Sequence, residues 1–578
     1  MSLAERLSVF RFSEFETRRH GENRERQNRD GRHVVVHVCS KRTNGVGNSS
    51  VLCFLCASVF QILLARSGDG HFGLQQAVKF PSPIQMIHHA MIETDIAIIG
   101  AGFSGSLLSL LLKQTGLRSV LIDKGSHPRF AIGESSTPMA NLILEGLSQR
   151  YNLPRLSPLC NYGSWKKAYP EIVCGLKRGF SYFHHNLDEE FSPRPDHANE
   201  LLVAASASAD DADTHWLRSD FDQFLANEAV DAGIPYFDQT TLEELVPRGA
   251  GWELKGTRQG ESLSWTADLI VDASGEGGFL ARKLGIGPHP DGLKTRSRGL
   301  FSHFKHVKRW NDLYIARGGI AADHPYPCDD AALHHVFDGG WMWVLPFDNG
   351  ITSAGFSLDP DRFPFDMAVS PEAEWNALMR RLPAVAEQFS DAEPIVPWRQ
   401  SGRMQRRLER STGPNWVMLP NTATFLDPLH STGNAFTLVG IERLMGILER
   451  SWKRPTLVDE LSRYDQLVQR ETEFLDLIVS GSFLGFREFE RMIGLSMFYF
   501  AAATWSETER RAGRAIRGSA FLSADHPGLR SGLERAVREI GSSLPADQFV
   551  EQIRTAIAPF NRVGLCDPAR MNQYPFIP

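Results

Sequence analysis

The chain has 578 residues, a formal net charge of -6 and a hydrophobic content of 42%. That length suits one large composite domain or a few smaller ones, the composition is that of a globular protein, and the charge leaves no electrostatic footprint for nucleic acid. Seven cysteines, sparse and odd in number, fit a reducing compartment such as the cytoplasm rather than a disulfide framework.

Residues 1–90 read as an atypical extension. Their first stretch is arginine-rich and without hydrophobic period, yet Glu5, Glu14, Glu16, Glu22 and Glu25 make it too acidic for a transit peptide. Residues 51–65 are apolar but shorter than the roughly 20 residues a membrane span needs, so no stable insertion is expected. Cys53 and Cys56 form a C-x-x-C without a second pair at zinc spacing, and no metal site is expected. We expect translation to start at Met86 or Met91.

From residue 95 the order is strand, glycine turn, helix, strand. Residues 95–99 are a short apolar strand, residues 106–114 a leucine-rich helix, and residues 119–122 a second strand ending at Asp123. This is a βαβ unit around Gly100-Ala-Gly-Phe-Ser-Gly105. Gly100 permits the tight turn, Gly102 lets the backbone approach a pyrophosphate, and Gly105 lets helix and strand pack closely. The anion then sits at a helix N-terminus. Asp123 stands where an acid bonds the ribose of a dinucleotide.

Further on, residues 268–275 form an apolar strand ending in Asp272-Ala-Ser-Gly275, and Arg218-Ser-Asp-Phe-Asp222 opens a helix. Arg218 and Asp222 also read as a surface i,i+4 pair. Trp341-Met-Trp343-Val-Leu-Pro346 is an aromatic run whose simplest role is packing of a sheet strand, with Pro346 stiffening the turn after it. Beyond Asn434 the pattern is mostly helical, with helices expected at residues 442–451, 456–473 and 486–511.

Taken together, these motifs resemble the flavin-dependent halogenases. Arg129-Phe-Ala-Ile-Gly-Glu134-Ser, Lys177-Arg-Gly, the Trp-x-Trp-x-x-Pro run and Phe425-Leu-Asp427-Pro-Leu-His430-Ser-Thr432-Gly433 carry the likeness. It implies an α/β fold: an FAD-binding Rossmann-like domain with an interleaved β-sheet substrate region over residues 91–435, and a mainly helical part over residues 436–578 that covers the substrate. It implies FAD in contact with Gly100, Gly102, Gly105, Asp123, Glu134, Arg218, Asp272, Gly275, Asn421 and Asp427. It also implies a halide on the backbone N–H groups of Thr432 and Gly433, and Lys177 guiding hypohalous acid made from O2 and chloride or bromide. Trp341, Trp343 and Pro346 would separate flavin from substrate, and Tyr499, Phe500 and Trp505 are candidates to stack on an arene. With no second G-x-G-x-x-G after a strand, reduced flavin would come from a separate flavin reductase.

Two departures matter. His430 stands where tryptophan-acting relatives carry glutamate, which favours a phenol or pyrrole, free or held on a carrier protein. Imidazole titrates near neutrality, so His430 is either a base for the arene proton or a ring packed on the flavin edge. Pro420-Asn421 replaces the family's Gly-Asp, which weakens the expectation of tight FAD binding, although Asn421 retains hydrogen-bonding capacity. The alternatives are an FAD-dependent aromatic monooxygenase, which needs no halide, and a flavoprotein without turnover.

Overall fold

The computed structural model describes residues 26–27, 33–34, 91–514 and 519–577. The chain divides into two units, Met1–Phe80 and Pro81–Pro578. Of the first, a pair of antiparallel two-residue strands is described, Arg26–Gln27 and His33–Val34. The apolar run at residues 51–65, the Cys53/Cys56 pair and Met86 lie outside the described residues.

The second unit contains a nucleotide-type sheet. Strand β1 (Ile92–Ile99) leads through a turn into helix α1 (Phe103–Gln114) and back to β2 (Ser119–Ile122). The parallel core runs in the order Trp416–Met418, Glu261–Asp272, β1, β2, Tyr236–Phe237. An antiparallel hairpin, Thr240–Arg248 with Gly251–Arg258, extends one side. Ile96, Ile98, Leu121 and Val271 are buried in the core on one face and Ala97, Val120, Ile122 and Ile270 in the core on the other, as expected of parallel strands covered on both faces.

A second, mixed sheet is interleaved with the first in sequence. Its centre is β3 (Gly179–His185), β4 (Glu200–Ala204), β5 (Arg298–Lys305), β6 (Ala332–Phe337), β7 (Gly340–Pro346) and β8 (Ile351–Leu358). The order is β5, β8, β7, β6, β3, β4, with β6 and β3 parallel and the other neighbours antiparallel. Side chains alternate between faces. Phe180, Tyr182, Trp341 and Trp343 enter the core shared with the C-terminal helices, whereas Phe183, Leu333, Met342 and Val344 enter a separate core on the other face. The spacing of the two tryptophans thus puts both indoles on one side.

Helices α2 (Thr432–Ser451), α3 (Leu457–Gly485) and α4 (Phe489–Arg511) come next, then Pro527–Glu539 and Ala546–Ile557. The helical part begins at Thr432, two residues before the expected onset, and it does not run to the end. Gln573–Tyr574 returns as a strand parallel to β4. Two residues of strand are too few to show a period in sequence.

Candidate active site

A cavity of about 690 Å³ lies at the carboxyl ends of the parallel strands, where open α/β sheets bind ligands. The turn after β1 forms one end. Gly100 has φ +103°, and a β-carbon there would come within 2.6 Å of the Ala273 carbonyl. At Gly105 a β-carbon would overlap the Gly100 carbonyl, so helix and turn fit only without one. Gly102 is the N-cap of α1 and supplies no side-chain cap, so the first N–H groups of that helix are left for a ligand.

Asp123 lines this cavity. Its carboxylate accepts from Ala101 N at 2.7 Å and Gly125 N at 2.8 Å, and from both terminal nitrogens of Arg129 at 2.7 and 2.6 Å. Any ribose contact is therefore shared with Arg129, a residue the motif contained but whose role the sequence did not reveal. Arg218 and Asp222 form the expected i,i+4 pair, but it is buried rather than on the surface. Nε and Nη2 of Arg218 reach the carboxylate at 2.7 and 2.8 Å, while Nη1 donates to the carbonyls of Ile132 and Gly133. The pair also lines the cavity.

Glu134 and Asp272, both expected at the cofactor, do not line the cavity. Glu134 is 2.8 Å from His303 Nε2 across the second sheet. Asp272 accepts from Ser274 N at 2.9 Å and Leu280 N at 2.7 Å. Their chain neighbours Gly133, Ser274 and Gly275 form the wall instead, and one oxygen of Glu134 is buried without a protein partner. Asp427 is in the wall, but its carboxylate is already occupied. Ser297 and Ser357 hydroxyls donate at 2.6 Å each, Leu429 N at 3.0 Å and Trp341 Nε1 at 3.2 Å. Asp427 thus holds the indole of Trp341 in place.

Pro420-Asn421 does not block the cavity. Pro420 opens a short helix, Pro420–Ala423, with its ring against Gly440, a position where proline fits. Asn421 lines the cavity, and its Oδ1 is buried without a protein partner. An orphaned amide oxygen at the wall is what a ligand hydroxyl or ring N–H would satisfy. With the uncapped start of α1, it makes the residues present fit a dinucleotide such as FAD. Thr432 and Gly433, at the uncapped start of α2, form the other end of the cavity. A β-carbon at Gly433 would meet nothing within 4 Å.

Lys177 ends a short strand, Cys174–Lys177, paired antiparallel with Asp213–Trp216 so that Lys177 faces Asp213. It is fully buried, not the solvated loop residue that Lys-Arg-Gly suggests in isolation. Its ammonium donates to the Ser136 carbonyl and lies 4.0 Å from the centroid of the Phe180 ring. Burial pulls the ammonium below its ordinary range, and the Asp213 carboxylate works the other way. Asp213 is held by Asn141 Nδ2 at 2.7 Å, and burial pushes its carboxyl up.

From Phe180 extends a cluster of packed aromatic side chains that would wall a substrate chamber. Tyr182 stacks on His334 at 4.3 Å, His334 lies 5.2 Å from Trp341, and Trp341 5.8 Å from Trp343. On the helical side His430 stacks on Tyr499 at 4.7 Å, with Phe500 edge-on to Phe180 at 5.4 Å. Trp341 therefore stands between the Asp427 wall of the cavity and the chamber. Pro346 keeps its place in the ladder, opposite Thr352, and its carbonyl closes over Gly175, so it joins the lysine strand to the sheet. Trp505 lies elsewhere, edge-on to Phe560 at 5.5 Å.

His430 does not titrate near neutrality. Burial, aided by His334, pushes it down to about 3. Its Nδ1 is 3.1 Å from the Tyr182 hydroxyl and its Nε2 3.4 Å from Ser482 Oγ. His430 and Ser431 both have positive φ, 64° and 55°. This costly conformation turns the chain sharply into α2. Tyr182, His334 and Asp213 carry no motif in the sequence. They sit on strands whose pairing, such as Tyr182 opposite His334, spans long stretches of chain.

Fold and site define a dinucleotide-binding oxidoreductase in which a glycine-lined cavity abuts a separate, lysine-bearing aromatic chamber. The family model for tryptophan halogenases matches residues 205–481. The tetracycline 7-halogenase of Kitasatospora aureofaciens is 30% identical over 404 residues, 68% of this chain and 70% of that protein. The monodechloroaminopyrrolnitrin halogenase PrnC of Pseudomonas fluorescens is 29% identical over 402 residues, 68% of each. The solved structure of halogenase PltM in complex with phloroglucinol and FAD superposes with a TM-score of 0.74 at 24% identity, covering 83% of this chain and 99% of that one. The chain belongs to the flavin-dependent halogenases and is an enzyme of the oxidoreductase class.

Proposed function

We propose that this enzyme uses FAD, O2 and chloride or bromide to halogenate an electron-rich arene of the phenol or pyrrole class, with Lys177 aiming the halogen. The observation that carries this reading is the position of Lys177: a buried ammonium at the edge of an aromatic chamber, across a tryptophan wall from the nucleotide cavity. Bound reduced flavin supplies, with O2, the oxidising power that turns halide into hypohalous acid.

The protein's share is confinement and aim. Thr432 and Gly433 N–H groups at the start of α2 receive the halide. Trp341, clamped by Asp427, keeps the arene away from the cavity. In the chamber the Lys177 ammonium hydrogen-bonds the oxygen of hypohalous acid and polarises the halogen. The arene carbon forms its bond to halogen as the halogen–oxygen bond breaks. The departing hydroxide takes a proton from Lys177 and leaves as water, and the ring proton restores the ammonium. His430, neutral at working pH, orients Tyr182 and Tyr499 rather than exchanging protons with solvent. The absence of glutamate at position 430 favours phenol or pyrrole over tryptophan. A flavin reductase is the partner that supplies reduced FAD.

The test is turnover of the full chain with FAD, a flavin reductase, NADH and bromide against a panel of phenols and pyrroles, read by mass spectrometry. A bromine isotope pair that vanishes in Lys177→Ala supports the reading. A hydroxylated product formed equally without bromide overturns it.

A further inference from the structure

Behind the aromatic cluster, on the opposite face of the second sheet, three buried side chains converge from two segments. They are His197, Glu200 at the start of β4, and His324. His197 and Glu200 are fully buried and His324 is 1% exposed. Their Nδ1, carboxylate oxygen and Nε2 lie within 4.8 Å of one another. None belongs to the nucleotide cavity or the lysine chamber.

Hydrogen bonding alone accounts poorly for the arrangement. One oxygen of Glu200, Oε1, meets His197 Nδ1, His324 Nε2 at 3.0 Å, Tyr314 Oη at 3.1 Å and Gln573 Nε2 at 3.2 Å. The other oxygen, Oε2, is buried with no partner, as is Gln573 Oε1. Four donors on an oxygen with two lone pairs, beside a bare one, is a costly distribution. In addition, His197 Nε2 lies 3.1 Å from Asp323 Oδ2. If His197 Nδ1 donates to Glu200, its Nε2 needs a second proton to meet Asp323.

We infer that His197, Glu200 and His324 form a binding site for a divalent metal of the zinc type, with Gln573 as a fourth ligand. Two imidazoles and a carboxylate are a common zinc donor set. A cation among them takes the lone pairs of His197 Nδ1, His324 Nε2 and the carboxylate. His197 Nε2–H then donates to Asp323, the carboxylate–histidine–metal arrangement that orients such ligands. The Gln573 amide, turned about its axis, presents Oε1 to the ion; amide oxygen and nitrogen are interchangeable in placement. Asp323, with its side chain 46% exposed, marks the entry path. The role is structural: the ion ties the loop before β4 and the turn at His324 to the C-terminal strand, which already bonds this loop through Asn572 Nδ2 to the His197 carbonyl at 3.1 Å.

The experiment is elemental analysis of the full chain purified from zinc-supplemented cells, followed by thermal unfolding of chelator-stripped protein with and without added zinc chloride. We expect one equivalent of zinc per chain and a zinc-dependent rise in Tm. Both should be lost in His324→Ala. Should that variant fail to fold, Asp323→Asn keeps every ligand and should weaken zinc affinity by roughly 10–100-fold. Cobalt added to the stripped, unaltered protein should give the visible absorption of a tetrahedral site, bleached by zinc. Protein without metal whose Tm ignores zinc, or an Asp323→Asn affinity equal to that of the unaltered chain, would overturn the inference.

Discussion

The nucleotide cavity and the lysine chamber are built on opposite plans. The cavity is open, and its wall includes glycines, two uncapped helix starts and one orphaned amide. Two pairs of its charged side chains are matched to each other, Asp123 with Arg129 and Arg218 with Asp222, while Arg403 and Arg406 in the same wall donate to backbone carbonyls. The chamber cluster is buried and made of side chains from strands and helices far apart in sequence. Its ionisable groups are shifted by burial: Lys177 down, Asp213 up, His430 down to about 3. A site that holds a large cofactor needs shape and hydrogen bonds. Under the proposed mechanism, a site that aims a small neutral oxidant needs one charge kept out of water, where it is not screened.

The sharpest way to break this contrast is Lys177→Ala. It should lower halogenation by roughly 10²–10⁴-fold while leaving FAD binding intact, as read by product mass spectrometry beside a flavin titration. Weakened flavin binding would merge the two sites into one. Next comes Arg218→Ala on the cavity side, which strands Asp222 as a buried, unpaired charge. We expect a loss of about 3–5 kcal/mol in denaturant unfolding, together with weaker FAD binding. A change under about 1 kcal/mol, on the scale of a surface pair, would show the pair to be solvated after all.

Asp213→Asn tests the electrostatics of the chamber. Asp213 favours the ammonium of Lys177, so its neutralisation should move the alkaline limb of kcat/KM to lower pH. A limb that stays put assigns that ionisation to another group. The stability consequence has a defined sign. Because Lys177 is depressed below its ordinary value of 10.5, the unfolded chain binds the extra proton in that window. Stability gains from this group as pH rises from the lowered value towards 10.5, and the penalty is fully present below it. The smallest effect should come from His430→Phe: a modest fall in rate with an unchanged pH profile, since the imidazole is already neutral. A profile that flattens around pH 6–7, near the ordinary histidine value, would restore His430 as a base.

The same contrast explains what is legible in the sequence. The βαβ unit and its glycines can be read because their geometry is local: a strand, a turn and a helix within about thirty residues. Strand Ser119–Ile122 appears where the pattern puts it, and the tryptophan pair shares a face as its period requires. Roles that depend on non-local partners cannot be read this way. Asp272 and Asp427 are acids in cofactor motifs, yet each is held by protein donors, and Glu134 turns to His303 away from the cavity lining. Nothing local to Lys177 announces that a strand from residues 213–216 will cover it. Tyr499 is readable as an aromatic on a helix, but not as the ring that stacks on His430.

Gly355 lies on β8 between Phe301 and Trp343 in the ladder. The Trp343 indole and the Phe301 side chain occupy the volume a β-carbon would take there. For protein engineering, this glycine is a remote adjusting screw. Alanine at position 355 would displace the indole without replacing any residue of the proposed site, and successively larger side chains would displace it further.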